Sequence, residues 1–389
     1  MSNEANDIRI AVPANNGLLT PPGPETFHDA IKLLKQLIST PSFSKEEGGT
    51  ATILENFLKQ KDIKVNRNLN NVWALNKYFD PNKFTILLNS HHDTVKPNAG
   101  YTINPFTPVE KDGRLYGLGS NDAGGALISL VSVFAHFYSI KDLTFNLVLA
   151  ATAEEEISGH NGIEYLLPLL PKMNCAIVGE PTLMKMAVAE KGLFVLDCTA
   201  KGMAGHAARN EGVNAIYIAM KDIEWFSTYE FEKKSPLLGQ VHMAVTSVDT
   251  ANKTHNIVPS ECSFVVDIRV NELYTFEEVL SVISQNIKSE VKPRSTRLRP
   301  SFIENNHPLV VAGASMNMES YGSPTCSDKA LMSFPALKIG PGDSARSHIA
   351  DEYIFTDEIR EGINGYYELL KNMVLTIKKK NDEEALGKK

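Results

Sequence analysis

The sequence predicts an α/β protein in which a mainly parallel sheet, flanked by helices, is interrupted by an inserted ferredoxin-like α+β unit. Three observations carry this prediction. Short apolar runs alternate with helical periodicity through the first half of the chain, as in a parallel sheet with crossover helices. Between about residues 186 and 301 that pattern gives way to the order β-α-β-β-α-β, the split unit of ferredoxin-like domains. The chain also has 389 residues, beyond the roughly 250 to 300 at which a single core stops growing.

A leader with Pro13, Pro21, Pro22 and Pro24 reads as a disordered or loosely docked segment. After it, Ile31, Leu33, Leu34, Leu37 and Ile38 fall at helical spacing within residues 27–39. The Thr40-Pro41-Ser42 break separates that helix from a second at about residues 46–61. Residues 85–89, 145–150 and 175–179 are expected strands, with a long helix at 124–140 between the first two. In the insert the expected order is strand 193–200, helix 213–227, strands 241–247 and 263–270, helix 276–289 and strand 296–302. The expected boundaries are 25–186 for the first part of the main domain, 187–302 for the insert and 303–385 for the return. The Lys- and Glu-rich tail reads as a frayed helix end.

Composition narrows the function. A formal net charge of −7 with no long basic block offers no footprint for nucleic acid or an anionic membrane, so a small molecule or peptide fits better as partner. Cys175, Cys198, Cys262 and Cys326 lie far apart with no C-x-x-C pair, which argues against a disulfide framework or a thiolate zinc site. No signal-peptide pattern and no apolar run of about 18 residues is present, so the cytoplasm is the expected location.

The informative residues stand at the ends of expected strands. Ser90-His91-His92-Asp93 follows the strand ending at Leu88, and Gly119-Ser120-Asn121-Asp122 opens the helix at Gly124. Glu154-Glu155-Glu156 follows the strand ending at Ala150, and Gly179-Glu180-Pro181 follows Ile177. Ligands of open α/β sheets bind beyond the carboxyl ends of the strands, so these four segments can converge on one crevice. Taken singly each has a plainer reading: Asp122 as a helix cap, the Glu run as a helix start, a surface or core histidine, a turn at Pro181. Together they put mutually repelling carboxylates in one place, which a pair of divalent cations compensates. Oxygen and imidazole donors without cysteine suit zinc, cobalt or manganese.

At these residues, from about Phe27 to the C-terminal helix, the chain resembles a family of dinuclear-zinc deacylases and exopeptidases. That family includes acetylornithine deacetylase, succinyl-diaminopimelate desuccinylase, aminoacylase and carboxypeptidase G. Its first motif, His-x-Asp after a small residue, matches Ser90 to Asp93 and implies His91 as a metal ligand oriented by Asp93. Asp112 to Asp122 matches Asp-Gly-Arg-Leu-Tyr-Gly-x-Gly-x-x-Asp and implies Asp122 as the bridging carboxylate. The Glu-Glu pair implies Glu155 as general base and Glu156 as ligand; the resemblance adds Glu180 and, from the segment Ser347 to Glu352, His348 as further ligands. Glu154 makes the acidic run three residues long where the family often has Asp-Glu-Glu, and the following Ile157-Ser158-Gly159 supports the register chosen. Ala123-Gly124-Gly125 departs from the family's Met-Lys-Gly.

In the insert, the segment from Gly202 to Ala207 resembles the one whose histidine reaches the active site of the opposite subunit, implying His206 as an oxyanion stabiliser and a homodimer. Asn256-Ile257-Val258-Pro259 and Asp267-Ile268-Arg269 resemble the turn and strand that grip substrate, with the Arg269 fork suited to a carboxylate. Gly340-Pro341-Gly342-Asp343 resembles the loop lining the substrate pocket, which marks Gly342. The resemblance thus implies a zinc-hydrolase domain with an inserted dimerisation domain, holding two divalent metal ions, zinc by preference with cobalt or manganese as substitutes. The implied activity is removal of an acetyl or succinyl group from an N-acyl amino acid, acylornithine or acylcitrulline in arginine biosynthesis. Gly117-Leu118-Gly119 and the overall length favour the acetylornithine deacetylase branch. A dipeptidase or a succinyl-diaminopimelate desuccinylase is the alternative, and an inactive metal-binding protein or a metal-free binding protein on the same fold are rivals from another class.

Overall fold

Wholly buried apolar runs form the centre of the main sheet. The computed structural model describes residues 20–209 and 211–387, and the leader as far as residue 19 lies outside them. Phe84–His91 and Phe145–Thr152 pair in parallel from Phe84↔Phe145 to His91↔Thr152. Cys175–Val178 flanks the first of these strands, and Ala336–Lys338 continues in parallel beyond it. Antiparallel strands complete the nine: Asn71–Leu75 and Val65–Asn68 on one side, Met186–Glu190 and Ser301–Phe302 on the other, with Ser320–Ser323 pairing Met186–Glu190 in parallel.

Both faces of this sheet are covered. Strand alternation sends Ile86 and Leu88 to one core and Leu87 to another. The first core is closed by the helices Pro24–Ile38, Gly125–Phe137 and Thr356–Gly387, which also pack on one another. Gly125–Phe137 is buried along almost its entire length, which is why its sequence shows so little amphipathic periodicity. Its first turn packs so closely on the preceding loop that a Cβ on Gly124 would lie 2.2 Å from the Gly119 carbonyl oxygen. A small antiparallel sheet of Val109–Lys111, Arg114–Tyr116 and Tyr353–Phe355, absent from the sequence reading, ties that loop to the C-terminal part of the chain.

The insert is a four-stranded antiparallel sheet in the order His242–Asp249, Glu261–Val270, Gly192–Lys201, Glu290–Pro293, with the helices Ala215–Thr228 and Phe276–Asn286. This is the ferredoxin-like order expected from the sequence. Asn214 caps the first helix, and Thr275 with Glu278 forms a capping box on the second. The core here is separate, with Phe194 and Phe276 stacked at 4.5 Å between ring centroids.

Two expectations need correction. The last strand of the insert is Glu290–Pro293, whereas Ser301–Phe302, expected to end that unit, pairs instead with Met186–Glu190 in the main sheet. Glu290–Pro293 is a short polar edge strand ending in proline, so it carries no apolar alternation to find. The boundaries expected at 186/187 and 302/303 move accordingly, because Met186–Glu190 is a fully buried strand of the main sheet and the insert's sheet runs from Gly192 to Pro293.

Phe194→Ala should lower stability by about 3–5 kcal/mol, the usual cost of truncating a fully buried aromatic, as measured by chemical denaturation.

Candidate metal centre and active site

Four loops meet beyond the carboxyl ends of the parallel strands. His91 ends its own strand and is 1% exposed. Its Nε2 lies 3.3 Å from Asp122 Oδ1 and 3.8 Å from Glu180 Oε1. His348, from the loop before the last small strand, places Nε2 3.0 Å from Glu156 Oε2 and 3.7 Å from Asp122 Oδ2. Two groups result, His91-Asp122-Glu180 and Asp122-Glu156-His348, each with its donor atoms within 4.8 Å of one another. Asp122 belongs to both.

The supports are specific. Asp93 Oδ1 accepts from the Glu155 N–H at 3.0 Å and Oδ2 from the Glu156 N–H at 3.1 Å, while the Asp93 carbonyl lies 3.1 Å from His91 Nδ1. One residue therefore aligns a histidine and two glutamates. Glu154 turns away: its carboxylate accepts from Asn161 Nδ2 at 2.9 Å, which leaves Glu155 and Glu156 as the pair facing the centre. Glu155 stands 4.0 Å from His91 Nε2 and belongs to neither trio, as suits a base.

Sequence reasoning missed Glu352, a buried carboxylate that accepts from the backbone N–H of Gly119, Asn121 and Asp122 at 3.1, 2.8 and 3.0 Å. It fixes the turn that presents Asp122. Its only signal is the spacing of four residues from His348, which nothing in the sequence separates from chance. Asp328, which accepts from Thr152 Oγ1 at 2.8 Å, was likewise unread.

A cleft of about 240 Å³ opens beside Glu155, Glu156 and His348 and brings Arg269 from the insert to the same wall. Arg269 is also paired with Asp267, Nε to Oδ1 at 2.7 Å. Gly342, at φ 92°, sits where a Cβ would come within 2.6 Å of Asn121 Oδ1, beside the Asp122 turn. His206 and Asn256 lie on an exposed two-stranded ribbon, where His206 pairs with Ile257 and the Asn256 carbonyl accepts from Ala207 N–H at 3.1 Å. Neither joins the two trios within this chain.

The acids are crowded, and their protonation shows it. Burial drives Glu155 well above the usual carboxylate range, with the neighbouring Glu180, Asp328 and Glu156 adding to the shift against the pull of His91. Glu180 is pushed up to about 8 by burial, against the pull of His91, and Glu352 to about 8 by burial. Burial alone would raise Asp122, but its hydrogen bond with His91 holds it below its ordinary value. His348 is raised to about 9, chiefly through Glu156. A surplus of buried carboxylate around two imidazoles, with no thiolate among the donors, is an environment that fits divalent cations.

Comparison with known proteins agrees with this picture. The chain matches Peptidase family M20/M25/M40 over residues 87–372. It is 28% identical over 367 residues to an acetylornithine deacetylase of Edwardsiella ictaluri, covering 85% of this chain and 94% of that protein. A succinyl-diaminopimelate desuccinylase 2 of a Ruegeria species is 24% identical over 290 residues, covering 70% of this chain and 72% of that one. In fold, the chain is similar to a Bacillus subtilis protein described as a dinuclear metal binding peptidase, with TM-score 0.69, 13% identity and coverage of 92% and 99%. A tripeptidase of Staphylococcus aureus gives TM-score 0.72, 18% identity and coverage of 90% and 98%. The matched span contains His91, Asp122, Glu156, Glu180 and His348. This chain belongs to peptidase family M20/M25/M40 and is a hydrolase of amide bonds.

Proposed function

We propose that the protein is a two-metal deacylase that removes an acetyl or succinyl group from the nitrogen of an acylated ornithine or citrulline, a step of arginine biosynthesis. The observation that carries the metal reading is the pair of donor trios sharing Asp122, with Glu155 beside them and in neither. The substrate reading rests on the acetylornithine deacetylase relative, which aligns over nearly its whole length. A second reading, succinyl-diaminopimelate desuccinylase, is favoured by relatives of that name.

In this reading His91 and Glu180 would hold one cation and Glu156 and His348 the other, with Asp122 contributing to both. Zinc is the proposed metal, with cobalt or manganese as substitutes. The cations would supply charge that acidifies a water and polarises the scissile carbonyl. Glu155 takes the proton from that water and passes it to the leaving amine, a task helped by an affinity for protons above that of an ordinary carboxylate. Asp93 keeps His91 and the Glu155 backbone in register throughout. Arg269, which lines the cleft, would take the substrate carboxylate, and Asn256 and the turn at Gly342 would be further substrate contacts.

His206 would reach the oxyanion from a second copy of the chain, and the insert offers a surface for that copy. Tyr217 and Met220 on the helix Ala215–Thr228 are 65% and 58% exposed, and Val248 on the edge strand His242–Asp249 is 56% exposed. The four cysteines are free, as suits a cytoplasmic protein, and no helix among the described residues is long and apolar enough to cross a membrane.

The deciding experiment is hydrolysis of acetylornithine, acetylcitrulline, succinylornithine, succinyl-diaminopimelate and a dipeptide, with metal and with chelator. Chelator-sensitive turnover of one acylated ornithine or citrulline is expected; turnover confined to the diaminopimelate compound or the dipeptide would reject that substrate. Glu155→Gln should bind the same number of metal ions, as read by elemental analysis, while losing roughly 10²-fold or more in kcat. Binding of metal to the stripped protein should release protons. His348 in the metal-free chain keeps its proton up to about 9, above the ordinary 6.5, so the proton competes with the cation. Apparent affinity for zinc should therefore climb as pH rises from 6.5 through about 9 and then level off, in competition titrations with a chelator. The sign for folding is opposite: what this proton contributes to stability is complete below 6.5 and lost as pH rises through about 9.

A further inference from the structure

Under one wall of the cleft lies a set of buried charges that the chemistry above does not use. Lys338, at the end of Ala336–Lys338, and Glu190, at the end of Met186–Glu190, form an ion pair at 2.7 Å with side chains 5% and 0% exposed. Both partners reach the same stretch of chain. Lys338 Nζ donates to the Thr325 carbonyl at 3.3 Å and to Thr325 Oγ1 at 3.2 Å. Glu190 Oε1 accepts from Ser327 Oγ at 2.8 Å, and Cys326 Sγ donates to the carbonyl of Lys191 at 2.9 Å. Residues 325–328 are the part of the cleft wall that stands with Glu155, Arg269 and His348.

An ion pair excluded from water seldom adds stability over apolar residues of equal volume, because desolvation offsets the attraction. Position is what this one supplies. Residues 325–327 lie beyond the end of Ser320–Ser323 and have no ladder of their own, yet each is tied to one of the two strands that carry the pair or to the residue next to it. A satisfied buried polar network is rigid in a way that apolar contacts are not. We infer that the pair formed by Lys338 and Glu190 is a positioning device for substrate recognition, holding residues 325–328 against the sheet so that the cleft keeps its width beside Glu155. The inference rests on the cleft being the substrate site proposed above.

The test uses the full-length, metal-loaded protein. In Lys338→Met/Glu190→Leu both charges of the pair go together, and the neighbouring buried Lys329 keeps its bond to the Ala187 carbonyl; in Ser327→Ala the ion pair and the Lys338 bonds to Thr325 stay, while the Glu190 tie to the wall is cut along with the Ser327 cap on the Lys329 N–H. Either variant should raise KM for the acylated amino acid by roughly tenfold, with kcat kept within about threefold of native. In the double variant, hydrogen–deuterium exchange should also quicken over residues 320–332 while the main-sheet strands keep their protection. Unchanged KM and unchanged exchange overturn the inference, as does a fall in kcat at constant KM, which would make the pair act on the chemistry through Glu180. If the double variant does not fold, the KM of Ser327→Ala decides. If the native protein hydrolyses no acylated amino acid, the functional reading has failed, and exchange alone then decides whether the pair holds the wall.

Discussion

Asp122 is the constraint on which the site depends. Its two oxygens serve different histidines, His91 on one side and His348 on the other, so any drift of this one carboxylate would break both trios at once. The chain spends unusual local order to prevent that. Glu352 grips three amides of the turn, the Asn121 side chain exchanges hydrogen bonds with the Asp343 backbone, and the Gly124 turn is pressed on the Gly119 carbonyl. The Glu352 and Asp343 contacts join residues more than two hundred positions apart in sequence, which ties the geometry of the centre to completion of the whole main domain.

The opposite rim is organised by the same logic with other parts. Asp93 gathers the amides of Glu155 and Glu156, and burial then sets what the Glu155 carboxyl can do. Glu155 is poised to hold a proton where an ordinary glutamate would not, whereas Asp122, bonded to His91, stays ionised. Two acids of like chemistry thus differ in their hold on a proton through their neighbours.

Much of the architecture was legible because parallel strands and their ends leave marks in sequence: an apolar run, then a His, Asp or Glu where the backbone leaves the sheet. His91, Glu156 and Glu180 follow such runs, whereas Asp122 opens a helix and His348 was marked by the family resemblance; the structure brings the five together. What stayed hidden has physical causes. Glu290–Pro293 is a polar edge strand, and Met186–Glu190 is buried on both faces, so neither shows alternation. Glu352, Asp328, Lys338 and Glu190 are buried polar residues whose partners lie far away in the chain, and no local pattern distinguishes them from surface charges. The sequence alone also does not disclose that Arg269, paired with Asp267, lines the cleft.

The insert leaves the main sheet after Glu190 and comes back at Ser301, and those two residues are direct partners in one antiparallel pairing. Seen from the main sheet, everything between them is a long hairpin loop. Such an arrangement makes the insert an exchangeable module: lineages can lengthen, reshape or replace it without disturbing strand order or the carboxylates on the far strands. The metal-binding half of the molecule and the half that presents Arg269 can therefore diverge at different rates, and new substrate preferences can arise by altering the loop while the hydrolytic centre is inherited intact.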